Sequence, residues 1–502
     1  MPLYAPFTFA DLQQATRGQW VSLSKESLPA ETTVWTLETD SRQLAPPHPD
    51  HPDAGVCFVP LVGDHKDGHA FIVSGGLACQ QAGKPMVSLA SQAWLAQQGD
   101  AFQPAYPLLV VEDTLQALQD LATFHRLRCA ATVVALTGSS GKTTTKELLA
   151  HVLSFHGITQ ATEKNYNNDI GTAYTLLNLR PDTRFAVVEM GMRGLGQIRR
   201  LARMALPDVA TVTNIGPAHI GLLGSLEAIA CAKLEIIEGL APAKGVFITN
   251  ADDAYIAQRL AAIEALPKAE APWKQVSRIP FTLNDVEALH AEADGCYRYV
   301  WQGQTIRLSQ PGVHQVQNAL LVATLAQHLG MTPQAIAKAL NRYRPQGSGR
   351  YEPVVLDERH TVIYDAYNAN PSSMQASLTA FFEDTRPTHR LLILGTMQEL
   401  GERGEAYHEA LLRWLASPSV ATKLQGLVFI GEETERYVPL LKGLAPPFAW
   451  HCSPTVAMLS PVVLGDMLHA YPSSNWQILI KGSRSHGLEA VLETLKNLQR
   501  EM

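Results

Sequence analysis

Residues 132–155, TVVALTGSSGKTTTKELLAHVLSF, are the stretch on which the fold turns. Thr132 to Leu136 form a short apolar run of strand length, and a helical pattern of apolar residues begins after Lys142. Between them stands Thr137-Gly138-Ser139-Ser140-Gly141-Lys142-Thr143-Thr144, so the segment reads as strand, phosphate loop, helix. Gly138 and Gly141 let the backbone turn tightly and aim N–H groups into one concavity, where the positive end of the following helix adds to an anion site. Lys142 would reach the β- and γ-phosphates of a nucleotide, and the Thr143 hydroxyl would ligate Mg²⁺. The spacing departs from the general G-x-x-x-x-G-K-[ST] loop, because only Ser139 and Ser140 separate the glycines.

Outward from this stretch, 502 residues leave room for about three domains. A hydrophobic content of 46% with 17% charged residues is that of a soluble globular protein. With 40 basic against 47 acidic residues and a net charge of −7, the chain lacks the basic surface of a general nucleic-acid binder. Its six cysteines are scattered without a C-x-x-C pair, as expected of reduced structural thiols. No apolar run is long enough to span a membrane, and the start, MPLYAPFTFADLQQ, has no basic segment leading into an apolar one; the expectation is a cytoplasmic protein without a membrane partner.

Residues 1–107 read as a small α/β domain of short strands and turns, interrupted by a Pro-rich loop at Pro46, Pro47, Pro49 and Pro52. Ser41 and Arg42 stand beside that loop; an Arg fork next to a Gly-rich turn suits a diphosphate, and an ordinary surface turn is the alternative. Asp113 to Arg128 carries a leucine stripe of helical spacing. Residues 108–345 then repeat strand and helix, with strands expected at 132–136, 185–189, 209–212 and 245–249, which argues for a parallel sheet covered by helices. Ligands in such sheets gather at the carboxyl ends of the strands. There the chain places the Asn-rich loop containing Asn165 and Asn168, then Glu189, then His219. An acid at a buried strand end is costly unless it meets a cation, so Glu189 is a candidate for Mg²⁺ and His219 a second one. Lys233 falls in an expected helix from Ser225 to Leu240. Residues 267–310, with Trp273, Tyr297, Tyr299 and Trp301, suggest added antiparallel strands. His314 and Asn318 share one face of a helix opening at Gly312, either pairing locally or reading a base edge.

Pro345-Gln346-Gly347-Ser348-Gly349-Arg350 is a hinge candidate, and residues 346–502 read as a second open-sheet α/β unit. Its strand ends carry Asp365-Ala366-Tyr367-Asn368-Ala369-Asn370-Pro371-Ser372, Gly395-Thr396-Met397-Gln398-Glu399 and Lys481-Gly482-Ser483-Arg484-Ser485. Three polar clusters on one rim are hard to explain by packing.

Taken together, TGSSGKTTTK, NYNNDIG, EMGMRGLGQI, NIGPAHIGLLGS, PGVHQVQNAL, YDAYNANPSSM and IKGSRS resemble the Mur ligase family across nearly the whole chain. The resemblance implies three domains: an N-terminal one gripping a UDP-sugar, a central ATPase, and a C-terminal Rossmann-like domain that closes over ATP. It implies ATP-dependent amide formation through an acyl phosphate, with UDP-muramoyl tripeptide and D-alanyl-D-alanine as substrates, ATP and Mg²⁺ as cofactors, and a monomer at work in peptidoglycan precursor synthesis. The third residue of the tripeptide is either meso-diaminopimelate or lysine. By the same resemblance Lys142, Lys233, Arg350 and Asp365 are the catalytic set, Lys233 as a carbamylated lysine. Gly138, Ser139, Ser140, Gly141, Lys142, Thr143, Thr144, Asn318 and Arg350 bind ATP, and Thr143, Glu189 and His219 hold the metal. Ser41, Arg42, Asn165, Asn168, Asn368, Asn370 and Ser372 contact the other substrates. One departure stands out: Thr396 replaces the acid of the family's usual Gly-Asp-Met. A P-loop kinase acting on a small metabolite and a nucleotide-gated scaffold are the rival classes, and neither needs the second α/β unit.

Overall fold

The computed structural model describes residues 2–21, 33–44, 51, 54–99, 102, 104, 106–267, 275–345, 347, 349–471 and 474–501. Pro46, Pro47, Pro49, Pro52, Trp273, Gln346 and Ser348 lie outside the described residues.

The first sheet is built from β1 (Pro2–Thr8), β2 (Gln19–Val21), β3 (Thr33–Glu38), β4 (Gly55–Phe58), β5 (Met86–Ser91) and β6 (Leu108–Val111), in the order β1-β3-β4-β5-β6-β2. Only its edges are antiparallel. Because β6 pairs with β5 along Ser88–Ser91, a boundary at residue 107 would separate two hydrogen-bonded strands; the sheet ends at Val111. The helix Thr114–Arg128 follows, capped by the Asp113 carboxylate on Gln116 N.

The second sheet comprises β7 (Thr132–Thr137), β8 (Thr159–Ala161), β9 (Phe185–Glu189), β10 (Val209–Val212), β11 (Val246–Asn250) and β12 (Ser277–Phe281), all parallel, in the order β12-β11-β10-β7-β9-β8. The residues of β7, β9, β10 and β11 are almost wholly buried, as a sheet covered on both faces requires. β7 lies between β9 and β10, so the chain leaves it toward one side and later returns on the other; the crevice at such a reversal opens above the carboxyl end of β7. β12 was hidden in the segment expected to be antiparallel. The antiparallel strands that do follow are β13 (Val286–Ala291), β14 (Cys296–Trp301) and β15 (Gln304–Pro311). The helix expected from Ser225 to Leu240 is α-helical only over Leu226–Leu234 and continues as a 3₁₀ turn, Glu235–Gly239. There Gly239 packs so tightly that a Cβ would lie 2.5 Å from the Ala202 carbonyl oxygen.

The third large sheet takes β16 (Glu352–Val355), β17 (His360–Asp365), β18 (His389–Gly395), β19 (Gly426–Ile430), β20 (Ala449–Ser453) and β21 (Trp476–Lys481), in the order β16-β17-β21-β18-β19-β20. All its pairings except β16 with β17 are parallel. The last strand of the chain is inserted between β17 and β18, which sets Asp365 directly beside Lys481. Thus the α/β architecture expected from the sequence is present in three successive sheets.

Candidate active site

The loop after β7 is held from one side by the segment after β10. Ser139 Oγ donates to the Gly216 carbonyl and accepts from its N–H, both at 2.9 Å. Ser140 N donates to Asn214 Oδ1 at 3.1 Å, and Thr213 Oγ1 donates to the Ser140 carbonyl at 2.6 Å. The approach is so close that a Cβ on Gly138 would stand 1.8 Å from Thr213 Oγ1. Gly141, with φ of 77°, turns the chain into the helix Lys142–Ser154 and would, with a Cβ, stand 2.9 Å from Asn318 Oδ1. The loop is therefore preformed, with the helix N-terminus behind it. Ser139, Ser140, Gly141, Lys142, Thr143 and Thr144 all line one polar cleft of about 880 Å³.

Two amines converge on a single acceptor in this loop. Lys142 Nζ donates to the Gly138 carbonyl at 2.7 Å, and Lys233 Nζ donates to the same oxygen at 2.9 Å. Lys233 is 1% exposed, and its burial, with Lys142 beside it, holds its pKa well below the usual lysine value. Burial lowers that of Lys142 as well; the Glu189 charge opposes this and the Arg350 charge adds to it.

Glu189, at the end of β9, accepts from Thr143 Oγ1 at 3.0 Å and from Asn167 Nδ2 at 2.8 Å, with Lys146 Nζ 3.9 Å away. A hydroxyl and a carboxylate in contact at the mouth of a phosphate loop are a hard-oxygen donor set that fits Mg²⁺. His219 is drawn elsewhere. It has φ of 62°, and its Nδ1 lies 2.5 Å from Glu399 Oε2, across from the third sheet. Among the described residues no three His, Cys, Asp or Glu side chains gather to hold a metal ion. The expected ligands thus share the cleft, with Thr143 and Glu189 in direct contact and His219 engaged by Glu399. In the Asn-rich loop, Asn168 caps the helix Asp169–Leu177 through Gly171 N at 2.8 Å, and Asn165 lines the cleft.

The third sheet supplies the opposite wall. Asn370 caps the helix Pro371–Glu383, and its Nδ2 reaches the Ser139 carbonyl at 3.4 Å. Ser372 presses on Gly216, where an added Cβ would stand 2.4 Å from its Oγ. Asn368 Oδ1 is turned back to Ala369 N at 2.9 Å. The Arg350 guanidinium lies 4.1 Å from the Tyr367 ring centroid, and its buried Nε has no hydrogen-bond partner. Asp365 is already satisfied within the wall, accepting from Lys481 Nζ at 2.7 Å and Ser377 Oγ at 2.5 Å. Thr396, in place of the expected acid, is buried with its Oγ1 3.0 Å from His486 Nε2. Asn318 donates to Gln315 Oε1 at 3.2 Å and accepts from Thr145 Oγ1 at 3.4 Å, while burial pushes the pKa of His314 down to about 4.

Ser41 and Arg42 are not part of this cleft. Arg42 is exposed and forks onto Asp40, whose carboxyl it holds down at about 2. The adjoining Thr39 Oγ1 meets Tyr174 OH at 2.5 Å, which fixes the segment against the central unit. Sequence reasoning gave no role to Lys146, Asn167, Tyr367, Glu399 or Lys481, all of which shape the cleft or its charges. Lys146 lies one helical turn after Lys142, and Glu399 and Lys481 fall in polar clusters at strand ends, which were usable signals.

Two family models match the chain: the Mur ligase middle domain over residues 136–326 and the Mur ligase glutamate ligase domain over residues 349–446. The UDP-N-acetylmuramoyl-tripeptide--D-alanyl-D-alanine ligase of Synechocystis is 34% identical, covering 94% of each chain. The Escherichia coli enzyme of the same name is 31% identical over 94% of this chain and 96% of its own. A crystal structure of MurF from Acinetobacter baumannii superposes with a TM-score of 0.82 at 29% identity, covering 99% of this chain and 100% of that one.

Proposed function

Since the chain belongs to the Mur ligase family, we propose that it joins D-alanyl-D-alanine to a UDP-N-acetylmuramoyl tripeptide, converting ATP to ADP and phosphate and yielding the pentapeptide precursor of peptidoglycan. The observation that carries this reading is the single cleft walled by a phosphate loop on one side and by strand ends of a second α/β sheet on the other. A kinase or a nucleotide-gated scaffold has no use for that second wall. Relatives bearing this activity in their names match almost end to end.

In this reading the terminal carboxylate of the tripeptide attacks the γ-phosphorus of ATP, and ADP leaves. The amine of the dipeptide then attacks the acyl carbon, loses a proton, and expels phosphate. Bringing anions together is the main obstacle, so positioned cations carry the rate. Lys142 would leave the Gly138 carbonyl for the transferred phosphoryl group, and Arg350, with one buried guanidinium N–H unpartnered, would meet the same charge. Mg²⁺ held by Thr143 and Glu189 would neutralise the phosphates. Asn370, seated on the phosphate loop at Ser139, and Ser372, against Gly216 beside it, would exclude water that would hydrolyse the acyl phosphate. Asp365 orients Lys481 and the Tyr367–Asn368 turn. Asn165 and Asn168 border the tripeptide's path, Asn318 sits where the adenine would lie behind Gly141, and Ser41 with Arg42 serve the UDP moiety in the first unit.

Lys233 would work as a carbamate. Its burial favours the neutral amine, the form that adds CO₂, and the resulting anion would suit a crowded cationic site better than a second ammonium. The reading is completed by a monomer at work in the cytoplasm; no described helix is long and apolar enough to cross a membrane. The test is substrate dependence: ADP and phosphate should appear only when ATP, UDP-muramoyl tripeptide and D-alanyl-D-alanine are all present. Equal ADP release without the dipeptide would refute the ligase reading.

A further inference from the structure

We propose that Arg193 and Glu399 form a two-point site that reads the far end of the tripeptide's third residue and selects meso-diaminopimelate over lysine. The inference rests on the ligase reading and deepens it, by naming the side chain that the cleft is shaped to accept.

The two residues come from opposite walls. Arg193 stands in the loop after β9, where Gly191 N donates to the Asn167 carbonyl at 2.8 Å and so ties this loop to the Asn-rich one. The backbone N–H of Arg193 itself donates to Gln197 Oε1 at 2.7 Å. Glu399 stands in the loop after β18, with φ of 60° and its carbonyl accepting from Gly221 N at 3.1 Å. A Cβ on Gly221 would lie 2.4 Å from Gly401 N, so backbone meets backbone here and the carboxylate is delivered to a fixed place. Both side chains line the cleft, with Arg193 Nε 3.7 Å from Glu399 Oε1 and the second Glu399 oxygen beside the His219 ring.

A separation of 3.7 Å is beyond hydrogen-bond length, and the Arg193 side chain is 77% exposed. Such a pair adds little to stability and keeps its bonding capacity for a ligand. The other cations of the cleft are committed: Lys142 and Lys233 share the Gly138 carbonyl, Lys481 holds Asp365, and Arg350 lies on the Tyr367 ring. Diaminopimelate ends its three-methylene arm in an ammonium and a carboxylate on one carbon, whereas lysine carries the ammonium alone at the same reach. A guanidinium fork beside a carboxylate complements the first of these, Arg193 taking the carboxylate and Glu399 the ammonium. With lysine, Glu399 is still matched and Arg193 faces no anion. The near end of the same residue bears the carboxylate that ATP activates, so its reader belongs in the cleft of the phosphate loop, where this pair lies.

The experiment measures kcat/KM with UDP-muramoyl tripeptides ending in meso-diaminopimelate or in L-lysine, and the binding of each by titration calorimetry without D-alanyl-D-alanine. Wild type should favour the diaminopimelate substrate about thirtyfold, the discrimination of one charge-assisted hydrogen-bonded contact, with the difference lying in KM. Arg193→Ala should lose that preference by weakening the diaminopimelate substrate and sparing the lysine one. Arg193→Glu should reverse the preference, and Glu399→Gln should weaken both substrates. Equal use of the two tripeptides by wild type, or an equal loss for both in Arg193→Ala, would overturn the proposal and leave the ligase reading intact. Binding that discriminates through Arg193, without amide from either tripeptide, would refute the ligase reading and leave this site standing.

Discussion

Lys233→Met separates the chemical role of a buried amine from its structural one. The lysine makes one hydrogen bond, to the Gly138 carbonyl, and that oxygen keeps Lys142 Nζ at 2.7 Å when Lys233 is gone. The structural loss is therefore one shared hydrogen bond, about 0.5–1.5 kcal/mol, while methionine retains the apolar stem. Against this, the wild type carries the cost of an amine whose folded pKa lies well below its unfolded one. The unfolded chain binds the extra proton between those two values, so this group makes wild-type stability rise with pH through that window and level off above about 10.5. Lys233→Met removes the rise. Denaturation midpoints across pH should show the variant less stable than wild type by no more than about 1.5 kcal/mol at the alkaline end, where the amine is neutral in both states, and gaining relative to it as pH falls. Turnover should drop about a thousandfold, or about 4 kcal/mol of transition-state stabilisation, and ¹³C-bicarbonate should give a carbamate resonance in wild type that the variant lacks. Normal turnover in Lys233→Met would refute the reasoning, as would a stability difference independent of pH.

Other outcomes follow from the same geometry. Asp365→Ala leaves a buried Lys481 ammonium without its acid and should destabilise by about 3–5 kcal/mol in chemical denaturation, most of which Asp365→Ala combined with Lys481→Met should restore. Gly138→Ala, forced onto Thr213, should abolish binding of a fluorescent ATP analogue while a UDP-sugar still binds in titration calorimetry. Cys57, whose thiol burial pushes up to about 12, should react with a thiol reagent only after denaturation, as a stopped assay of the reagent's release would show.

The sequence made the middle of the buried strands of the second and third large sheets plain, but named none of β4, β5 and β6 in the first. β9 and β10 fall where the apolar runs placed them, because a parallel sheet covered on both faces demands unbroken apolar segments. Short edge strands such as β8 and β16 escaped, since half-buried edges carry no such demand. β12 escaped as well, having a proline and an arginine inside it. The phosphate loop and Glu189 were legible because each follows a strand directly. What stayed hidden was long-range pairing: nothing local to Asp365 announces Lys481, and nothing local to His219 announces Glu399. The burial of Lys233 is likewise invisible in a helix whose neighbours are apolar, where a solvent-facing lysine is the ordinary outcome.

The central claim is that one cleft carries a carboxylate through an acyl phosphate to an amide. It is tested most directly by labelling the terminal carboxylate of the UDP-muramoyl tripeptide with ¹⁸O and analysing the products by mass spectrometry after turnover with ATP and D-alanyl-D-alanine. Attack of that carboxylate on the γ-phosphorus followed by aminolysis at carbon places one ¹⁸O in each phosphate released and leaves the other in the new amide. Unlabelled phosphate, with amide still formed, would contradict the account.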